Sequence, residues 1–212
     1  MNNWLHQQAK RPDCLLAGFS IAGSFQNLAN GGDNFTVANA EIDADGMMGT
    51  ESSESSASIP LQKAWKDIEN LTLIYKISIP NMPDYPTAPQ TTLVGPLGKQ
   101  PIDAYIHRAG SSWRIYQFFR WGRGTSGIYH WIVVAGAGGT FVCAAVKNGK
   151  ACSVYKEGIQ SGATQTFGGD TLYNLPALIT FSAPPQSTFP LKMHYCYLFD
   201  KAMSQDEIKC FK

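Results

Sequence analysis

Residues 113–123, Trp113-Arg114-Ile115-Tyr116-Gln117-Phe118-Phe119-Arg120-Trp121-Gly122-Arg123, combine aromatic rings and guanidinium groups at a spacing that could do chemistry. In an extended chain, successive side chains point to opposite faces. Arg114, Tyr116, Phe118 and Arg120 then share one face, and Trp113, Ile115, Gln117, Phe119 and Trp121 share the other. The second set reads as core. The first set, with Arg123 just beyond it, can stack on a sugar ring, clamp a carboxylate or seat a partner chain. Arg114, Tyr116, Phe118, Arg120 and Arg123 are therefore the candidate ligand-binding residues. The same face also fits a plain outward surface held by cross-strand arginine–aromatic packing, and residue types alone leave both readings open.

Other chemistry finds less support. A retaining glycosidase needs two carboxylates about 5–5.5 Å apart. The stretches that read best as strands, 71–79, 113–121, 128–134 and 191–199, hold no Asp or Glu. Asp43, Asp45, Glu51 and Glu54 cluster in a turn-rich segment, where a solvated face is expected. Asp43, Asp45 and Glu54 mimic a calcium loop, but Met48 stands where glycine is needed and Met47 at a ligand position. Neither a G-x-S-x-G nucleophile elbow nor a phosphate-binding glycine loop occurs. His130 and His194 lie in strand-like stretches beside aromatics and read as satisfied strand histidines. No catalytic residue, metal ligand or cofactor is assigned.

These side chains must be positioned by strands. Leu71, Leu73, Tyr75, Ile77 and Ile79 alternate up to Pro80, and further strands are expected at 102–107, 113–121, 128–134 and 178–181. Leu15 to Phe25 and Phe35 to Ile42 read as earlier strands, with a turn at Asp43–Gly46 and a polar strand between Gly49 and Ile59. Phe141–Lys147 and Lys150–Tyr155, joined by Asn148-Gly149, predict a hairpin with a type I′ turn. That register would set Cys143 and Cys152 diagonal to each other, a poor geometry for a disulfide. Residues 81–101, rich in Pro and Thr, are expected to be the longest irregular stretch. At the end of the chain, Leu191–Phe199 reads as a strand, and Ser204-Gln205-Asp206-Glu207 is a capping box that opens a short helix.

Composition sets outer bounds. The 212 residues carry 17 Lys+Arg against 16 Asp+Glu, a net +1, so no global field attracts nucleic acid or anionic lipid. A hydrophobic fraction of 44% is enough for a sizeable core. Five cysteines at spacings that match no zinc pattern read as reduced, buried thiols. No signal peptide and no membrane span is recognised in the sequence. Asn34-Phe35-Thr36 and Asn70-Leu71-Thr72 match glycosylation sequons, read here as chance.

Three segments carry a resemblance. The terminal YLFDKAMSQDEI, the KNGK hairpin at Lys147–Lys150 and the strand IENLTLIYKISIP at Ile68–Pro80 resemble concanavalin A-like, laminin-G-like jelly rolls, over roughly Ala17–Phe211. The resemblance implies an all-β fold: a two-sheet antiparallel jelly-roll sandwich of the concanavalin A-like lectin/glucanase type with a short C-terminal helix. It divides the chain into an N-terminal arm, 1–13, and a sandwich domain, 14–212. Calcium is possible by resemblance, with Asp33, Asp43, Asp45 and Asp170 as candidates. The function expected is non-enzymatic: a virion-associated protein (phage capsid decoration, head fibre or tail adhesin), assembled in a host cytoplasm. Its partners would be other protein chains, as a homo-oligomer, with glycans as possible contacts and neither nucleic acid nor membrane. A stand-alone lectin-like module is the alternative, and a glycoside hydrolase of the same fold the third.

Overall fold

The structure, a computed structural model, describes residues 15–20, 28–29, 34–43, 45–81, 90–95, 101–122, 126–135, 138–173 and 175–211. The expected arm, 1–13, and Cys14, Asp33 and Arg123 lie outside them. Sixteen strands are assigned in the described residues. They are β1 (Leu15–Ser20), β2 (Thr36–Ala38), β3 (Ala40–Ile42), β4 (Met47–Gly49), β5 (Ser55–Pro60), β6 (Leu71–Ile79), β7 (Thr91–Val94) and β8 (Ile102–Ala109). There follow β9 (Ser112–Arg120), β10 (Gly127–Ala135), β11 (Gly139–Asn148), β12 (Ala151–Lys156), β13 (Ile159–Gln160), β14 (Gln165–Thr166), β15 (Leu178–Ala183) and β16 (Lys192–Phe199). Among the described residues there is one short α-helix, α1 (Gln205–Lys209), after β16, and one 3-10 turn at Trp65–Asp67.

The strands form two antiparallel sheets. The first runs β13-β12-β11-β6-β16-β4-β3, with β1 also on β16 and β14 on β12; the second runs β10-β9-β8-β7-β15-β5-β2. Between them lies the main core, where Leu73, Tyr75, Ile77, Cys143, Val154, Trp113, Ile115, Phe119, Ile132 and Phe181 are buried. Burying each large side chain contributes about 1.5–3 kcal/mol.

A second core covers the outside of the first sheet. Ile74, Val142, Ala144, Val146, Tyr195, Tyr197 and Phe199 meet Met203, Ile208 and Phe211 from the end of the chain. Burial on both faces explains why Leu71–Tyr75 is buried without alternation. The capping box forms as expected: Ser204 Oγ accepts from Glu207 N at 3.3 Å, and Glu207 Oε2 accepts from Ser204 N at 2.9 Å. Thr72 Oγ1 donates to Lys201 O and accepts from Met203 N, tying the turn before α1 to β6.

Several local expectations shift. A β-bulge lies between Met193 and Tyr195, so β16 changes phase. Leu191 and Met193 face the main core before it, Cys196 and Leu198 after it, and Tyr195, Tyr197 and Phe199 face the second core. The simple alternation read from the sequence misses this extra residue. Asn39, at φ 52°, breaks the expected 35–42 strand into β2 and β3. Strand β7 lies within the stretch 81–101 expected to be irregular. The β11–β12 turn is displaced by one residue: Asn148 pairs with Ala151, leaving Gly149 and Lys150 as the loop. Gly149, at φ 54°, takes the first central position, which suits a type II′ turn. The pairing therefore moves two residues. Cys143 lies opposite Lys156 and Cys152 opposite Lys147. Four residues of strand, about 13 Å, then separate the two thiols along the ladder, too far for a bridge.

Phe211 is fully buried in the second core. Replacing Phe211 with Ala should cost about 3–5 kcal/mol in urea unfolding, while Ser204→Ala, which removes only the cap, should cost about 1 kcal/mol.

Candidate functional site

Strand β9 is the middle of three long strands at one side of the second sheet. Its inner residues, Trp113, Ile115, Gln117 and Phe119, are buried, so its even-numbered residues must face outward. The ladder extends that face to both neighbours. Trp131, Tyr116, Tyr105 and Thr92 lie directly across from one another on β10, β9, β8 and β7. Tyr129, Phe118 and Asp103 form the adjoining rung.

The result is a platform of five aromatic rings. Tyr105 and Tyr116 stack with centroids 4.9 Å apart and planes at 8°. Phe118 lies 5.7 Å from Tyr105 and 5.5 Å from Tyr129. Trp131 lies 6.3 Å from Tyr116 and 6.0 Å from Tyr129. Tyr129, Trp131 and Val133 are 49%, 43% and 49% exposed, so the platform is open to solvent.

The expected site residues divide. Tyr116 and Phe118 are platform rings. The Arg114 guanidinium lies over the Trp131 ring at 5.9 Å, and its Nε is buried without a hydrogen bond among the described residues. Arg120 departs from the expectation of an open cation. It is 5% exposed, lies over Phe118 at 4.6 Å, and donates from Nε to Asp103 Oδ2 at 2.9 Å. Asp103 is itself fully buried, so this pair braces the Phe118 end of the platform. Trp121, expected in the core, is half-buried and meets Phe167 edge-on at 5.0 Å. Gly168 and Gly169 let the chain lie on it: a Cβ at Gly169 would stand 2.3 Å from Trp121 Cβ. The β9 stretch alone does not point to Tyr105, Tyr129, Trp131 and Val133. Their signal is the shared parity of 103-105-107 and 129-131-133 in the two flanking strands.

The same outer face continues onto β7, β15 and β5 with a different character. Thr92, Thr180, Ser182, Ser56, Gly95 and Glu54 line a shallow open pocket of about 360 Å³, with Ser55 at its base. Glu54 is at its rim, and partial desolvation there raises its carboxyl above the usual range. Among the described residues, the side chains of Glu54, Ser56, Thr92 and Ser182 make no hydrogen bond, whereas Ser58 Oγ and Thr180 Oγ1 lie 2.9 Å apart.

No protein-family model matches the chain, and no characterised protein sequence matches it. Solved structures do. A botulinum neurotoxin serotype D ligand-binding domain, in complex with N-acetylneuraminic acid, superposes with a TM-score of 0.70 at 14% identity over 94% of this chain and 50% of its own. The binding domain of botulinum neurotoxin DC, in complex with rat synaptotagmin II, gives 0.70 at 12% over 93% and 50%. A structure of botulinum neurotoxin type C, whose cell entry is described as dependent upon interaction with two ganglioside molecules, gives 0.71 at 12% over 96% and 52%. The chain spans about half the length of these toxin chains. At such identity the likeness shows the fold: a jelly-roll-like sandwich of two antiparallel sheets.

The remaining side chains read as structural. Strand β10 is an edge, and its outward carbonyls are met by side chains from the first sheet's side. Gln165 Nε2 donates to Tyr129 O at 3.2 Å, Lys156 Nζ to Val133 O at 3.4 Å and Ser161 Oγ to Trp131 O at 3.5 Å. His130, buried, contacts Cys152 O at 3.0 Å through Nε2. His194, the bulge residue, contacts Ser78 Oγ through Nε2 and Asp45 O through Nδ1, both at 2.6 Å. Desolvation lowers the pKa of both imidazoles. Asp43 Oδ1 accepts from Asp45 N and Gly46 N, and Asp43 pairs with Lys192, so it builds the β3–β4 turn. Asp170 pairs with Lys150 at the surface. No group of three or more metal-ligating side chains occurs among the described residues. Cys143, Cys152 and Cys196 are free and buried, and burial pushes the Cys152 thiol up to about 12.

Two outcomes follow from this geometry. Arg120→Ala removes the cationic partner of the buried Asp103 carboxylate and should cost about 3–5 kcal/mol in urea unfolding; Arg120→Met with Asp103→Leu should recover most of it. The depressed histidine pKa values mean that the unfolded chain binds more protons below about pH 6.5. The stabilisation they give is full above that pH and lost as pH falls through the folded values. The urea midpoint should therefore drop between about pH 7.5 and pH 5, and His130→Gln with His194→Gln should flatten the drop.

Proposed function

We propose that this chain is a non-enzymatic recognition module that binds glycans through the platform of Tyr105, Tyr116, Phe118, Tyr129 and Trp131. One observation carries the reading: five contiguous rings on the solvent side of a sheet, with hydroxyl groups continuing the same face. Pyranose rings have an apolar face that packs on aromatic rings and hydroxyls that need polar partners. Support also comes from toxin structures of the same fold: a ligand-binding domain seen with N-acetylneuraminic acid, and a toxin whose cell entry is described as dependent upon interaction with two ganglioside molecules. Arg114 would hold the edge of the platform through Trp131. Among the described residues, Glu54 is the one carboxylate lining the hydroxyl pocket, where glycosidase chemistry would need two.

The exposed apolar face also favours a second reading. A partner chain in an assembly, such as the virion proteins expected from the sequence, would cover it as well as a sugar does. Among the described residues, no helix is long and apolar enough to cross a membrane.

A glycan array followed by calorimetry separates the two. Wild type should bind a sugar, and Trp131→Ala or Tyr116→Ala should each weaken binding about tenfold, or about 1.4 kcal/mol, with far-UV circular dichroism unchanged. A protein that binds no glycan but forms an oligomer in light scattering, dispersed by Trp131→Ala, would establish the assembly reading instead.

A further inference from the structure

We infer that Glu54, Ser56, Thr92, Thr180 and Ser182 form a second sugar subsite in line with the platform, so that the ligand is a linear, uncharged oligosaccharide laid across the strands. The inference rests on the glycan reading above and extends it to the chemical class and length of the ligand.

Alignment is the first argument. Trp131, Tyr116, Tyr105 and Thr92 share one rung, and Thr92 already lines the pocket. Across β7 the pocket continues to Thr180 on β15, joined there by Gly95 N donating to Thr180 O at 3.0 Å. From β10 to β15 is four strand spacings, about 19 Å. A single terminal sugar would cover only one end of that track. A chain of several rings would cover both.

Chemistry is the second argument. The platform offers faces and few hydrogen bonds; the pocket offers hydroxyls and one carboxylate and no rings. Sugar rings stacked at one end thus present their neighbours to hydrogen-bonding groups at the other. An ionised Glu54 is acceptor-only and can take two hydroxyl donors. Ser and Thr hydroxyls can either donate or accept. The side chains of Glu54, Ser56, Thr92 and Ser182 are not engaged with other described residues, and all four line the pocket.

Charge is the third. Among the described residues, Glu54 is the charged side chain that lines the pocket. It repels a carboxylate or sulfate placed there and accepts from neutral hydroxyls. A sialylated or sulfated chain is therefore disfavoured at this end, in contrast with the acidic sugar held by the toxin domain above.

The test is calorimetry on the full chain with linear oligosaccharides of two to six units built on glucose, N-acetylglucosamine, galactose, mannose or xylose, with sialyllactose as the acidic probe. Affinity for the backbone that binds should rise at least tenfold from the shortest oligomer to its plateau. Glu54→Ala with Ser182→Ala should remove that gain, weakening the longest oligomer tenfold and leaving the shortest unchanged. Glu54→Lys, on the rim and harmless to the core, should weaken the neutral chain and improve sialyllactose. Affinity flat with length, long-chain binding indifferent to both variants, or a wild-type preference for sialyllactose would each overturn the inference. In those cases sensitivity to Trp131→Ala would still uphold the platform. Wild type that binds no oligosaccharide of any length would overturn both.

Discussion

Burial of Trp113, Ile115 and Phe119 under the opposite sheet fixes the phase of β9, and the open face inherits its chemistry from that phase. A slip of one residue would bring Trp113 and Phe119 to the surface and bury Arg114 and Tyr116 instead. Each large apolar side chain contributes about 1.5–3 kcal/mol by burial, so the core decides the matter. Antiparallel pairing then transmits the same phase to β8 and β10, which is why Tyr105, Tyr129 and Trp131 gather around Tyr116. The buried Arg120–Asp103 pair adds a polar brace at one end of the arrangement.

The two sheets treat their outer faces in opposite ways. On the first, Tyr195, Tyr197 and Phe199 are roofed by α1 and Phe211, and the aromatic rings there disappear into a second core. On the second, an equally aromatic surface has no roof among the described residues. Both faces would lose apolar area from water if covered. That one is covered by the chain itself and the other is left accessible is the strongest structural reason for placing recognition on the β8–β9–β10 side.

Much of this was legible in the sequence. The period-two alternation of β9, the capping box at Ser204 and the turn at Asp43–Gly46 rest on local physical rules and stand in the structure. Features that depend on distant partners were not legible. The bulge at His194 adds one residue that only the opposite strand can reveal, and it reassigned Tyr195, Tyr197 and Cys196 to their faces. The hairpin turn moved by one residue because Asn148 joined the ladder and Gly149, whose N–H donates to Asn70 Oδ1 at 2.9 Å, took the positive φ. Arg120 looked like a surface cation because its partner, Asp103, lies 17 residues upstream on another strand. Three of the five platform rings were hidden for the same reason: the rings come from three strands, and only register brings them together.

The capped carbonyls of β10 bear on how the chain reaches its native state. Gly127–Ala135 is a nine-residue strand of mostly β-branched and aromatic residues without a formal charge, the kind of segment that recruits copies of itself. In the finished fold, Lys156, Ser161 and Gln165 reach across from the first sheet and occupy its free edge. Those three residues lie downstream in sequence, so on the ribosome the sticky strand emerges before its cover. A nascent chain has to hold that edge unpaired until β12 and the segment after it arrive, and expression yield will depend on how fast they do.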